Sequence, residues 1–320
     1  MNGKNLNVQY RRNSYAKKRI KVIAVIVCIV LVLLAAAFLV IGGMLKDKVD
    51  EDNQGEAGVT TNGDAQTPPH AELPSVKGYG MSILGATDSA VSEKASKVDQ
   101  ADGSCISFSA RGSSGEEIYF SSVAQSVGKQ SASNSYLKVS GIVSRAKARG
   151  LRTSAVLPVS ALSVEDDLER SVLLAYDAAV CAELFREGAD DVVITLDEGE
   201  ITEDNIDELI RLAQSVKNID GEVLVGISLS RELLAAEDSE VLVSKLWEAY
   251  DFLAYDITSI EEGKDAREFA EENINSEVHY YILRYNMRVL FPNVESEDLV
   301  SMAEVLSTKG SSNWMTVVLN

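Results

Sequence analysis

From Lys77 onward the chain switches repeatedly between short β-branched runs and longer stretches of helical periodicity, and this alternation restricts the fold more than any other feature. The strand-like runs are Gly78–Leu84, Ser104–Ala110, Arg152–Val159, Asp191–Asp197, Glu222–Leu229, Phe252–Ile257, Val278–Tyr285 and Trp314–Leu319. Helical patterns fall near Asp88–Val98, Tyr136–Arg149, Val164–Glu187, Asp204–Lys217, Glu240–Tyr250, Lys264–Asn273 and Glu297–Thr308. In the longest of them Leu168, Val172, Leu173, Tyr176, Val180 and Leu184 form an apolar stripe. Gly150 and Gly188 stand where helices end on glycine. Eight strands with seven helical patterns between them in roughly 240 residues predict an α/β chain closed into a (β/α)8 TIM-type barrel. An open doubly wound sheet commonly carries a glycine-rich phosphate turn after its first strand. Here that turn reads Leu84-Gly-Ala-Thr-Asp-Ser and lacks the GxGxxG spacing. No helical pattern follows the eighth strand, so the base needs some other closure.

In such a barrel the chemistry sits at the C-terminal ends of the strands. The run Gly188-Ala-Asp-Asp-Val-Val-Ile-Thr-Leu-Asp-Glu-Gly-Glu200 reads as a strand covered on both faces that opens into three carboxylates, Asp197, Glu198 and Glu200. Asp256 ends the sixth strand at the same rim. Glycoside hydrolysis uses two carboxyl groups, about 5–5.5 Å apart in retaining enzymes and about 6.5–9.5 Å apart in inverting ones. One must stay protonated, which crowded negative charge favours. Asp197 or Glu198 as acid with Asp256 as nucleophile or base fits that scheme. Arg284 and Tyr285, read as the end of strand seven, would position a sugar hydroxyl or an anionic group. Capping competes with these roles, because Glu200, Glu203 and Asp204 also suit the N-terminus of the next helix.

Ahead of the barrel, residues 1–21 are basic and Val22–Leu45 contains no charged residue. As a helix those 24 residues would span about 36 Å against a bilayer core of about 30 Å. Seven Lys/Arg precede the run, which predicts a single-pass anchor with a cytoplasmic N-terminus and an extracytoplasmic C-terminal domain. A cleaved signal peptide fits less well, because the apolar stretch continues past Ala35-Ala36-Ala37 without a break. Residues 46–76 are polar, with Pro68, Pro69 and Pro74, and are expected to be a disordered linker.

Residues 1–48 carry a net +8, so the formal −19 of the chain leaves −27 on the remainder. Charge of that sign excludes nucleic acid held through a general phosphate-attracting field. The two histidines, His70 and His279, have no zinc-ligand spacing, and no nucleophile elbow accompanies either. No metal and no cofactor are expected, and no EF-hand-type calcium loop is present. Cys28 lies in the apolar run. Cys105 and Cys181 fit either buried thiols or a disulfide in an exported domain.

The layout resembles a glycosyl hydrolase-like domain family of bacterial exported proteins, TIM barrels of the chitinase-like kind. The likeness rests on Lys77-Gly-Tyr-Gly, Ser104-Cys-Ile-Ser-Phe-Ser-Ala-Arg, Gly115-Glu-Glu-Ile-Tyr-Phe-Ser-Ser, Ala146-Lys-Ala-Arg-Gly-Leu-Arg-Thr-Ser-Ala-Val-Leu-Pro, Gly188-Ala-Asp-Asp-Val-Val-Ile-Thr-Leu-Asp and Tyr250-Asp-Phe-Leu-Ala-Tyr-Asp, and covers most of 77–320. It implies a glycan or cell-wall polysaccharide as ligand. The site motifs are degenerate. Where the family places Asp-Tyr-x-Arg, this chain has Thr195-Leu196-Asp197-Glu198, and Asp197 takes the place of the Glu proton donor. The charged group after the second strand is reduced to Arg111, read as substrate-binding together with Glu200, Arg284 and Tyr285. The third-strand Arg falls near Ser154, and Trp314 is the only aromatic of the last strand. These departures imply a barrel that binds without cleaving, or one that uses a shifted carboxylate pair. An envelope scaffold without ligand is the third possibility.

Overall fold

The computed structural model describes residues 74–318 except 113–114, 133–137, 160–161, 163, 197–200, 260–263 and 295. Eight parallel strands close into one barrel: β1 (Lys77–Gly80), β2 (Cys105–Ser109), β3 (Arg152–Val159), β4 (Asp191–Leu196), β5 (Val225–Leu229), β6 (Phe252–Asp256), β7 (Arg288–Pro292) and β8 (Trp314–Val317), with β8 pairing back to β1. Among the described residues ten helices lie between them: α1 (Asp88–Gln100), α2 (Ser122–Ser126), α3 (Val139–Lys147), α4 (Asp167–Arg186), α5 (Ile206–Ile219), α6 (Arg231–Leu234), α7 (Ser239–Ala249), α8 (Ala266–Asn273), α9 (Ser276–Arg284) and α10 (Ser296–Thr308). The segments 22–45 and 46–73, expected to hold the membrane span and most of the linker, lie outside the described residues. Among the described residues no helix is long and apolar enough to cross a membrane.

Each strand alternates its side chains between the barrel interior and the helical layer. Ile106, Phe108, Val192, Ile194 and Ile227 join the large cluster under the helices. Val156, Val193, Phe252, Ala254, Leu290, Met315 and Val317 form the separate apolar cluster inside the barrel. Glycine makes room for this filling at two positions. A Cβ on Gly78 would collide with Met315, and one on Gly226 would collide with the Phe252 ring. Gly226→Ala is therefore expected to cost about 1–3 kcal/mol, read as a shift in urea midpoint. No measurable shift would mean that the interior repacks freely.

The base is closed by side chains. At the first residue of β7, Arg288 donates to both carboxylate oxygens of Asp191, the first residue of β4, at 2.8 and 3.2 Å. Ser154 of β3 donates to the same carboxylate at 2.5 Å. The guanidinium lies 4.5 Å from the centre of the Phe252 ring, and Met315 packs in the same interior cluster as Phe252. Burial opposes ionisation of Asp191. The Arg288 charge and the hydrogen bonds from Arg288 and Ser154 outweigh it and hold the carboxyl below its usual value. Cys105 is buried beside this pair, and burial pushes its thiol up to about 12. Cys181 is likewise buried, and both thiols are free. Among the described residues no helix follows β8. Trp314 is buried there, with Tyr79 at 5.3 Å and Phe291 at 6.1 Å between ring centres.

Two sequence expectations need correction. The run Val278–Tyr285 is helix α9, and the seventh strand is Arg288–Pro292. The buried residues Val278, Tyr281, Ile282 and Tyr285 recur at helical spacing, and Asn275 caps the helix by accepting from the N–H groups of Glu277 and Val278. His279 is therefore helical, with its Nε2 2.5 Å from the Lys309 carbonyl oxygen. The stripe on α4 is also shifted. Leu168 and Val172 are 76% and 60% exposed, while Asp177 and Glu183 are buried. Gly150 and Gly188 do end helices, with φ of +72° and +104°.

Candidate functional site

The barrel mouth opens at the C-terminal ends of β3 to β6 as a cavity of about 610 Å³. Pro158, Thr195 and Ser228 line it from β3, β4 and β5, and Asp256 lines it from β6. Asp256 lies two residues beyond Ala254 and four beyond Phe252, so it shares their inward phase and stands above the apolar filling. The segments after these strands add Ser230, Arg231, Glu232, Thr258, Ser259 and Asn273. Five hydroxyls and the Asn273 amide share this wall with Leu196, Ile201 and Ile257, and no aromatic side chain lines it among the described residues.

Among the described acids lining the mouth, Asp256 is the one whose carboxyl is shifted. Burial raises its carboxyl pKa, and the Thr258 backbone N–H and hydroxyl, donating at 2.9 and 2.7 Å, oppose the rise. This turn is local: a side-chain oxygen accepts from the backbone two residues on. A raised folded value means that the folded state holds more proton than the unfolded one. The stability this group contributes is present at lower pH and is lost as pH rises through the folded value. Of the other acids expected here, Asp197, Glu198 and Glu200 lie outside the described residues. Glu232 is the second carboxylate lining the cavity among those described.

Arg231 and Glu232 begin the short helix α6, which Ser230 caps by accepting from the Leu233 N–H at 3.3 Å. Their position follows the rule that singles out strand ends. Residues 230–232 come directly after β5 in the sequence, where a search for acid clusters passes over them.

Arg111, expected to meet substrate, is buried and committed elsewhere. Its guanidinium donates to Glu117 at 2.8 and 3.1 Å, to Asp177 at 2.8 Å and to the Pro158 carbonyl at 2.8 Å. Tyr176 donates to the same Glu117 oxygen at 2.8 Å, and the other oxygen of Glu117 has no partner. Burial raises the carboxyl pKa of both Glu117 and Asp177, against the pull of Arg111. The group ties the segment after β2 to α4. A second tie is Glu183, which accepts from Tyr119, Ser121, Ser122 and the Val123 N–H. Burial opposes its ionisation, but these donors outweigh it and hold the carboxyl below its usual value.

Arg284 and Tyr285 are not brought together with Asp256. They end α9, the helix that leads back to the start of β7, and helices of this kind return the chain to the barrel base. Arg284 pairs there with Glu240 and Tyr280, both at 2.5 Å, and Tyr285 stacks on Tyr281. They would reach the mouth only if 278–285 were a strand, and it is helical. Among the described residues no cluster of three or more His, Cys, Asp or Glu side chains is arranged to hold a metal.

No protein family and no curated protein sequence matches this chain. Solved structures do. A Bacteroides thetaiotaomicron VPI-5482 protein provisionally assigned as an α-L-fucosidase superposes with a TM-score of 0.50 at 12% identity, covering 81% of this chain and 91% of its own. A GH18 chitinase from Pseudoalteromonas aurantia gives 0.47 at 10% identity over 76% and 94%. An L-ribulose 3-epimerase gives 0.43 at 14% over 77% and 82%. At these identities the likeness is one of fold: the chain is a (β/α)8 barrel with a polar mouth.

Proposed function

We propose that the chain is a glycosidase-like barrel that binds a carbohydrate in its mouth and is held at the cell envelope by its N-terminal segment. The observation that carries this reading is the cavity at the strand ends, where five hydroxyls and the Asn273 amide converge with Asp256. Polyhydroxylated ligands are recognised by such convergent donors and acceptors on a largely preformed wall. The absence of aromatic platforms among the described lining residues suits capture of one or two sugar units better than a long polysaccharide. The location rests on sequence: an uncharged 24-residue segment with seven Lys/Arg before it places the barrel on the far side of the membrane.

Binding without cleavage is the primary reading, because the family's fourth-strand motif is replaced by Thr195-Leu196-Asp197-Glu198. Hydrolysis is the second, favoured by Asp256, whose burial keeps more of the acid form present than in a solvated carboxylate. Binding of the full chain, in detergent micelles, to a panel of envelope and plant glycans separates the two. We expect binding without product. Asp256→Asn should weaken it about 2- to 10-fold, the range of one hydrogen bond. Product release abolished by Asp256→Asn would favour the second reading. No glycan bound at millimolar concentration would sink both.

A further inference from the structure

We propose that the mouth takes an acidic saccharide and that Arg231 grips its carboxylate. This rests on the carbohydrate reading above and adds a ligand class to it. Arg231 lines the cavity opened by Ser228, Thr195 and Asp256. Among the arginines of the described residues it alone has no ion pair, hydrogen bond or ring contact, while every other one is engaged. Anions are not scarce in this chain, which carries 49 Asp and Glu against 30 Lys and Arg. In such a background Arg231, exposed at the rim of this cavity and without a counter-ion, has its fork of donors free for a ligand.

The guanidinium fork matches a carboxylate through two parallel N–H···O bonds. A single cation suits a monoanion. A phosphate dianion would face Arg231 alone, with Glu232 and Asp256 on the same wall to repel it. A carboxylate carries a single charge and meets less of that repulsion. The hydroxyls of Ser228, Ser230 and Thr258 remain for the sugar ring.

The test is calorimetric titration of the full chain with D-glucuronate, D-galacturonate, D-glucose, D-glucosamine and glucose 6-phosphate. A uronate should bind at least about tenfold more tightly than glucose, and Arg231→Gln should remove that advantage. Arg231→Lys should keep part of it, since it retains charge without the fork. Arg211→Gln, an exposed pair partner of Glu208 on α5, should change nothing. The Arg231 side chain supports no other residue, so unchanged thermal melting of Arg231→Gln is expected and excludes misfolding. Glucose and uronate binding equally, with Arg231→Gln inert, would overturn the acidic ligand and leave the carbohydrate reading intact. Tighter binding of glucose 6-phosphate or of glucosamine would overturn it too. No saccharide bound would remove both.

Discussion

Replacing Asp191 by leucine, or Arg288 by methionine, is expected to cost about 3–5 kcal/mol, because the first strands the buried Arg288 charge and the second leaves Asp191 with only Arg152, 3.5 Å away, as counter-ion. The two side chains are at most 3% exposed and hold each other bidentately. Against a typical total of about 5–15 kcal/mol this is a large fraction. The double variant should recover most of the loss, since an apolar pair of similar volume removes both desolvation penalties. Urea unfolding of the four proteins gives the coupling energy directly. Single losses below about 1 kcal/mol would mean that water reaches the pair. The pH dependence has a definite sign. The folded carboxyl of Asp191 is depressed, so its contribution is complete above the unfolded value of about 3.9 and disappears as pH falls through the folded one.

Arg111→Met is expected to be as damaging, with the opposite response to acid. It leaves Glu117 and Asp177 buried with no guanidinium between them, and about 3–5 kcal/mol is again the scale. Both carboxyls already sit above their usual values because of burial. Without Arg111 they rise further, so the folded variant takes up protons that its unfolded state does not. The loss should therefore be greatest at pH 8 and shrink towards pH 5, measured as the midpoint difference between variant and parent. Glu117→Gln should be mild by comparison, because it removes one of two negative charges facing a single cation. A penalty for Arg111→Met that stays flat between pH 5 and pH 8 would contradict the arrangement.

Seven of the eight strands and the seven expected helices were legible from periodicity, and the failures have physical causes. β7 is short, begins on a charged residue that points inward and ends on Pro292, so it lacks the look of a buried strand. The run before it, with Val278, Tyr281, Ile282 and Tyr285 at spacings of three and one, carries the helical signal instead. α4 misled because part of its buried face is polar. Asp177 and Glu183 are inside through hydrogen bonds to Arg111, Tyr119 and Ser121, while Leu168 and Val172 are outside. Apolarity is a proxy for burial that fails where a network satisfies the charges.

For the site, Asp256 was legible because a carboxylate closing a strand of inward phase has one place to go. Arg111 was visible as a charge after β2, but nothing local to it announces Glu117 and Asp177, the latter 66 positions away. Arg231 follows Ser228-Leu-Ser directly, but nothing local in the sequence distinguishes an unpaired arginine from a paired one.

The ionic stopper of Arg288 and Asp191, seated on Phe252, makes the barrel a cup and not a conduit. Whatever enters must leave by the same door, past Arg231 and Glu232. A ligand bound in the mouth would have to leave by that rim before another could enter.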